Sequence, residues 1–204
     1  MKKALVVSAI ASNQGKTLLT MALLHHFKDR VRPYKIGPDF IDPLFHKQIS
    51  GVASVNLDGF MLDEKQLLWM FEHYFDKEIA ICEGVMGFYD GMDKNSSAYD
   101  IAKSLQIATL LILDASGSYI TISAILKGML EFRDDNTIKG VILNKISSQM
   151  HYELVKKFIT AELKGVIVLG WIEKNLNSIS SRHLGLDTQE LDTINLSKIS
   201  DDVL

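Results

Sequence analysis

Ser12-Asn13-Gln14-Gly15-Lys16-Thr17 stands between two runs of different periodicity. Upstream, Ala4-Leu5-Val6-Val7-Ser8 is a short continuous apolar run and reads as a buried β-strand. Downstream, Leu18, Met21, Ala22 and Leu24 recur at helical spacing between Thr17 and Phe27. Strand, tight loop, Gly-Lys-Thr and helix is the phosphate-binding arrangement of P-loop nucleotidases. Backbone N–H groups of Ser12 to Thr17 would point at phosphates, and the dipole of the helix favours negative charge at its N-terminus. Lys16 would reach the β- and γ-phosphates, and the Thr17 hydroxyl would hold Mg²⁺. Gly15 allows close approach of the backbone to the anion.

The match departs from the usual motif at three points. Ile10 stands where a glycine normally precedes the lysine by six residues, and Ala9 and Asn13 also occupy positions where glycines are frequent. A helix that merely begins with Lys-Thr would share the Gly-Lys-Thr triplet, so its place directly after the first strand carries much of the weight.

The 204 residues suffice for one domain with a sizeable core, and 47% hydrophobic with 23% charged residues is ordinary for a globular protein. A net charge of -3 gives no support for nucleic-acid binding through a basic surface. No apolar run approaches a membrane span. The one cysteine, Cys82, excludes an internal disulfide and fits a reducing cytoplasm. Within Ile79-Ala80-Ile81-Cys82-Glu83 it reads as a buried strand residue, not a nucleophile. The six histidines show no zinc-ligand spacing with cysteines or carboxylates.

Strands are expected near 4–9, 32–36, 78–83, 108–114, 138–144 and 166–171, and helices near 16–28, 63–75, 97–105, 118–132 and 151–163. This alternation predicts an α/β fold, a largely parallel sheet with helices on both faces. Asp63-Glu64-Lys65-Gln66 has the pattern of a capped helix start, with Leu67, Met70, Phe71 and Tyr74 on one face. Two connections stand out. Gly37 to Leu62 is expected to be a long irregular loop, and Gly84 to Ser96 is rich in Gly and Asp. Long irregular connections are often functional, and both follow carboxyl ends of strands, where open α/β sheets bind ligands.

Those loops hold a concentrated chemistry. Lys35 lies near the end of the second strand, Asp39 and Asp42 follow three residues apart, Glu83 ends the third, and Asp90 lies beyond it. A lysine among carboxylates close to a triphosphate suggests Mg²⁺ coordination and an anionic substrate. The aspartates would equally serve to shape turns, and Asp42 directly before Pro43 invites that reading. Glu83 invites it less, since an acid ending a buried strand requires a partner.

Four segments, in order, closely resemble the amino-terminal synthetase domain of cobyrinic acid a,c-diamide synthases: Tyr34-Lys35-Ile36-Gly37-Pro38-Asp39-Phe40-Ile41-Asp42-Pro43, Asn56-Leu57-Asp58-Gly59-Phe60-Met61-Leu62, Glu83-Gly84-Val85-Met86-Gly87-Phe88-Tyr89-Asp90-Gly91 and Arg182-His183-Leu184-Gly185-Leu186. The resemblance runs from about Lys3 to Leu186 and implies a synthetase domain over residues 1–186, with 187–204 a terminal extension or linker. It implies use of ATP and Mg²⁺ to phosphorylate carboxylates of a corrin-type macrocycle, after which ammonia displaces the phosphate and leaves an amide. By resemblance Ser12, Asn13, Gln14, Gly15, Lys16 and Thr17 bind ATP, and Thr17 and Glu83 serve Mg²⁺. Lys16, Lys35, Asp39, Asp42 and Asp90 fall at substrate and catalytic positions, and Asn144, followed by Lys145, falls at the adenine position of relatives, with an ordinary strand end as the alternative reading of that pair. Family members also carry a carboxyl-terminal glutaminase domain that these residues do not contain, so a glutaminase domain or subunit is an expected partner; homodimerisation is left open. The domain is similar to dethiobiotin synthetase as well, whose carboxylase-type chemistry is the alternative within enzymes. A partition-ATPase switch is the alternative outside them; those proteins place a signature lysine where this chain has Ala11.

Overall fold

The computed structural model describes residues 2–174. Arg182-His183-Leu184-Gly185-Leu186 and the expected terminal extension lie outside the described residues. Among the described residues a seven-stranded, all-parallel sheet has the order β3-β2-β4-β1-β5-β6-β7. Its strands are β1 (Lys3–Ala9), β2 (Val31–Ile36), β3 (Val55–Leu57), β4 (Ile79–Glu83), β5 (Ala108–Asp114), β6 (Ile138–Ile146) and β7 (Ile167–Glu173). The helices are α1 (Lys16–His26), α2 (Asp42–Ser50), α3 (Glu64–Tyr74), α4 (Ala98–Ser104), α5 (Ile120–Glu131) and α6 (Gln149–Glu162). No helix among the described residues is long and apolar enough to cross a membrane.

The pleat sorts each strand onto two cores. Val7, Ile81, Leu110, Ile112 and Ile142 pack with α1 and with Ile49 of α2 on one face. Val6, Ala80, Cys82, Leu111, Leu113, Val141 and Leu143 pack on the other with residues of α3, α4, α5 and α6. The capping box at Asp63 and Gln66 starts α3 as its sequence predicts, with Leu67 and Phe71 buried; Tyr74 is exposed, at the edge of that face.

The Gly37–Leu62 connection is not a long irregular loop: it folds into α2 and the short edge strand β3. Pro43 sits in the first turn of α2, where its missing N–H costs nothing, and Gly51 ends the helix at φ 73. Asp42, His46, Ile49 and Ser50 form its buried face.

Because every strand runs the same way, the segments after β1, β2, β4, β5 and β6 emerge at one edge. The chain leaves β1 for β2 and β3 on one side, returns to β4 beside β1, then crosses to β5 on the other side. This reversal sets the loop after β1 at a topological switch point. The loop after β4 is tied down against it: Gly84 donates to Val7 O at 2.9 Å and Phe88 to Ala9 O at 2.7 Å.

Gly87 is the tightest point of that docking. A Cβ there would lie 2.6 Å from Ile10 O and 2.7 Å from Asp90 Oδ2. Gly87→Ala is expected to lower stability by about 1–3 kcal/mol through overpacking against backbone. Gly128→Ala, whose added methyl meets nothing within 4 Å in α5, is the control; it is expected to stabilise the helix by ~0.5–1 kcal/mol. Thermal denaturation of both variants checks this, and equal melting shifts would refute the docking role.

Candidate active site

The side chains at the sheet edge follow from the pleat. Lys35, Glu83, Asp114 and Asn144 alternate with residues of the α3–α6 core and therefore face α1 and α2. Lys35 and Glu83 are register partners on neighbouring strands.

The turn before α1 has the shape of a phosphate-binding loop. Asn13 sits at φ 61 and Gly15 at φ 101, both left-handed. Asparagine is among the side chains that tolerate this region best, which accounts for one missing glycine. A Cβ on Gly15 would come within 2.4 Å of Asn144 Nδ2, so no larger residue fits there. No side chain caps the N-terminus of α1. Lys16 is buried and donates to Ala11 O at 3.0 Å and Met86 O at 2.5 Å, linking this loop to the one after β4.

From Thr17 a continuous polar chain runs inward. Thr17 Oγ1 donates to Glu83 Oε1 at 2.7 Å, and the same oxygen lies 3.4 Å from Lys35 Nζ. Lys35 Nζ is 2.5 Å from Asp42 Oδ2 and 3.3 Å from Asp39 Oδ2. Asp39 also orders the entry to α2, its Oδ1 accepting from Ile41 N at 2.9 Å. Glu83 is fully buried and Lys35 nearly so. Burial opposes charge on Glu83, but Lys35 and the hydrogen bonds from His46 and Thr17 outweigh it and hold the carboxyl down at about 2. Burial likewise opposes the Lys35 ammonium, and the charges of Glu83, Asp42 and Asp39 outweigh it, raising its pKa. Asp42 fares worst among the acids sharing that ammonium. Burial and the Glu83 charge push it up to about 6 despite Lys35, while Asp39, less buried, is lowered by the same lysine.

The structure thus unites Lys16, Thr17, Lys35, Asp39, Asp42 and Glu83. Asp90 stands apart: it is exposed and accepts from Gly87 N at 2.7 Å, the turn-shaping role. Ser12 and Asn13 are exposed on the loop, and Gln14 Oε1 accepts from Asp114 N at 3.0 Å. Asn144 Nδ2 donates to Gln14 O at 2.8 Å and its Oδ1 accepts from Lys145 N at 2.8 Å. A primary amide has two hydrogens and two lone pairs, so Asn144 keeps capacity for a further partner. Sequence reasoning missed His46, whose Nε2 lies 2.7 Å from Glu83 Oε2, and the Lys145–Asp114 ion pair at 2.5 Å. His46 was findable, standing one helical turn after Asp42 behind a Pro43 helix start. Cys82 is buried as expected, and burial pushes its thiol pKa up.

Residues 5–186 match the family described as the CobQ/CobB/MinD/ParA nucleotide binding domain. The chain is 43% identical over 195 residues to the cobyrinate a,c-diamide synthase of Saccharolobus solfataricus, covering 92% of this chain and 43% of that protein. It is 44% identical over 189 residues to that of Fusobacterium nucleatum, covering 90% and 42%. The chain therefore spans under half the length of these curated relatives. Among solved structures, the MinD cell division protein of Aquifex aeolicus superposes with a TM-score of 0.58 at 14% identity, over 98% of this chain and 93% of that one, a likeness of fold.

The Asp42 carboxyl gives the site a pH signature. Its folded pKa, about 6, lies above the ordinary aspartate value of 3.8. Between those values the folded chain binds the proton more tightly than the unfolded chain. Its ionisation therefore removes stability as pH rises from about 4 to 6. Glu83 acts in the opposite sense, losing its contribution only as pH falls from 4.5 towards about 2. The melting temperature of Asp42→Asn, relative to wild type, should rise as pH goes from about 4 to 7. Parallel melting profiles for the two proteins across that range would refute it.

Proposed function

The chain belongs to the CobQ/CobB/MinD/ParA nucleotide-binding domain family, and from that premise we propose that it carries the synthetase chemistry of cobyrinate a,c-diamide synthesis. ATP would phosphorylate carboxylates of a corrin-type macrocycle, and ammonia would convert the resulting acyl phosphates to amides. The observation that carries this reading is the unbroken path Thr17–Glu83–Lys35–Asp42, which joins the phosphate loop to a buried cluster of charge.

The residues present fit Mg²⁺. The Thr17 hydroxyl and the ionised Glu83 carboxylate are hard oxygen donors in mutual contact. Two protein oxygens leave most of an octahedral shell to phosphate and water, the usual way this ion is held. Bound there, it would supply charge neutralisation at the phosphates. Lys16 would leave its carbonyl partners for the nucleotide, and the α1 N-terminus would bind phosphate oxygens.

A carboxylate oxygen of the substrate attacks the γ-phosphorus and ADP departs. The acyl phosphate then takes ammonia at its carbonyl carbon, inorganic phosphate leaves, and the nitrogen sheds a proton. Lys35, whose pKa is raised, stays an ammonium and acts through charge, not as a base. Asp42, moved to about 6, is the acid of the cluster placed to accept the proton. Gathering substrate carboxylate and nucleotide at one sheet edge supplies the remainder through positioning.

The nitrogen source tests the assignment. A nucleophilic thiolate requires a base and partial exposure, and Cys82 is a buried strand residue. The 204-residue chain with MgATP and a corrin carboxylate should therefore form amide from ammonium salts but not from glutamine, and an added glutaminase should restore glutamine use. Lys16→Ala should abolish both the amidation and most of the ATP binding measured by calorimetry. ATP turnover indifferent to the corrin, with no amide formed, would overturn the reading.

A further inference from the structure

Resting on the reading that this site takes a magnesium nucleotide, we infer that His46 is a positioning residue that fixes the plane of the Glu83 carboxylate and so keeps one carboxylate oxygen turned to the phosphate loop. The imidazole is fully buried on α2, between Glu83 and the segment leading into β3. Its Nε2 lies 2.7 Å from Glu83 Oε2 and its Nδ1 3.1 Å from Ser54 Oγ. An ionised carboxylate only accepts, so Nε2 carries the hydrogen. Nδ1 is paired with the Ser54 hydroxyl, so the two bonds at opposite ends of the ring fix its orientation.

With Oε2 engaged by His46, Oε1 is the oxygen that meets Thr17 at 2.7 Å and Lys35 at 3.4 Å. The terminal torsion of a glutamate is broad, so packing alone does not fix the plane of its carboxylate. A directional N–H donor does. Thr17 presents one hydroxyl to this carboxylate, and a rotated Glu83 would offer it a different edge. The helix backbone beneath the ring is tied by Ser50, whose Oγ donates to the His46 carbonyl at 2.7 Å. Asp42 and His46 sit four residues apart on α2 and thus on one face. A single short helix therefore grips both the Lys35 ammonium, through Asp42, and the Glu83 carboxylate, through His46.

The test uses Mn²⁺ as probe, ATP, and the full chain. Electron paramagnetic resonance counts unbound Mn²⁺ during titration, and calorimetry in chelator gives ATP affinity without metal. His46→Leu should weaken Mn²⁺ binding in the ATP complex about 10–100-fold, the usual cost of losing a group that orients a metal-side ligand. Metal-free ATP affinity should stay near wild type, which a general loss of structure would not allow. His46→Gln, which keeps an N–H donor, should recover much of the Mn²⁺ affinity. If His46→Leu does not fold, Ser54→Ala carries the test, with Mn²⁺ binding expected to weaken about 3–10-fold through loss of the hydrogen bond that orients the ring. Folded His46→Leu with wild-type Mn²⁺ affinity overturns the inference. So does unchanged affinity in Ser54→Ala, where His46→Leu is unfolded. Wild type that binds no Mn²⁺ with ATP overturns the nucleotide reading itself.

Discussion

The Lys35 ammonium is buried against the carboxylates of Asp39, Asp42 and Glu83, and the local structure is arranged around that constraint. A buried charge is tolerated only with partners, and removing one side of such a cluster costs roughly 3–5 kcal/mol. Lys35 and Glu83 come from adjacent strands and would face each other in any parallel pairing with this register. Asp39 and Asp42 come from the segment that follows β2, so that segment must turn back over the sheet edge. The Asp39 carboxylate accepts Ile41 N, Pro43 fixes the first turn of α2, and the helix is laid across the strand ends. The same cluster accounts for the uneven acids. With more carboxylates than ammonium groups, the deeply buried acid farthest from other support, Asp42, is pushed toward neutrality, whereas Glu83 has Thr17 and His46 as well.

Much of this was legible in the sequence. Every strand and helix expected from periodicity exists, with ends displaced by only a few residues, because most are long or strongly apolar. The phosphate loop and the ends of β2 and β4 were placed on one edge by the parallel topology alone. What stayed hidden was α2 with β3. A nine-residue helix and a three-residue edge strand carry too little periodicity to stand out between glycines and prolines. The face of α2 is also unusual: it buries Asp42, His46 and Ser50 beside Ile49, so a search for apolar spacing passes over it. For the same reason His46 does not stand out among the six histidines. Its partner, Glu83, is 37 residues distant, and no local pattern announces that contact.

The departures from the usual phosphate-loop sequence find individual explanations. Asn13 adopts the left-handed region a glycine would otherwise supply. Ala9 ends β1 as a buried strand residue whose carbonyl receives Phe88 N, so a small side chain suffices there. Ile10 is held by the neighbouring loop, where the absence of a side chain on Gly87 lets the two backbones approach. The need for a glycine has in effect moved across the contact, from the loop after β1 to the loop after β4. Met86 accompanies this docking at φ 47, an uncommon conformation for its type, and its carbonyl meets Lys16.

The chemistry of the edge depends finally on strand register. In Ile79-Ala80-Ile81-Cys82-Glu83 the side chains alternate between faces, with Ala80 and Cys82 against the α3–α6 core and Ile81 against α1. A slip of one residue in β4 would send Glu83 into an apolar core and bring Cys82 beneath Thr17. Both cores resist this, since they would lose Ile81 from one face and receive a carboxylate on the other. The apolar residues thus determine where the charged ones stand, and burial on two faces makes that determination strict. Lys35 obeys the same logic in β2, between Tyr34 and Ile36 of the opposite core. Two neighbouring strands, each held in register by packing, then deliver an ammonium and a carboxylate to one point. From there α1 contributes Thr17, and α2 contributes Asp42 and His46. The phosphate loop and the charge cluster are adjacent because β4 lies between β1 and β2 in the sheet. Glu83, at the end of the strand they share, is where the two meet.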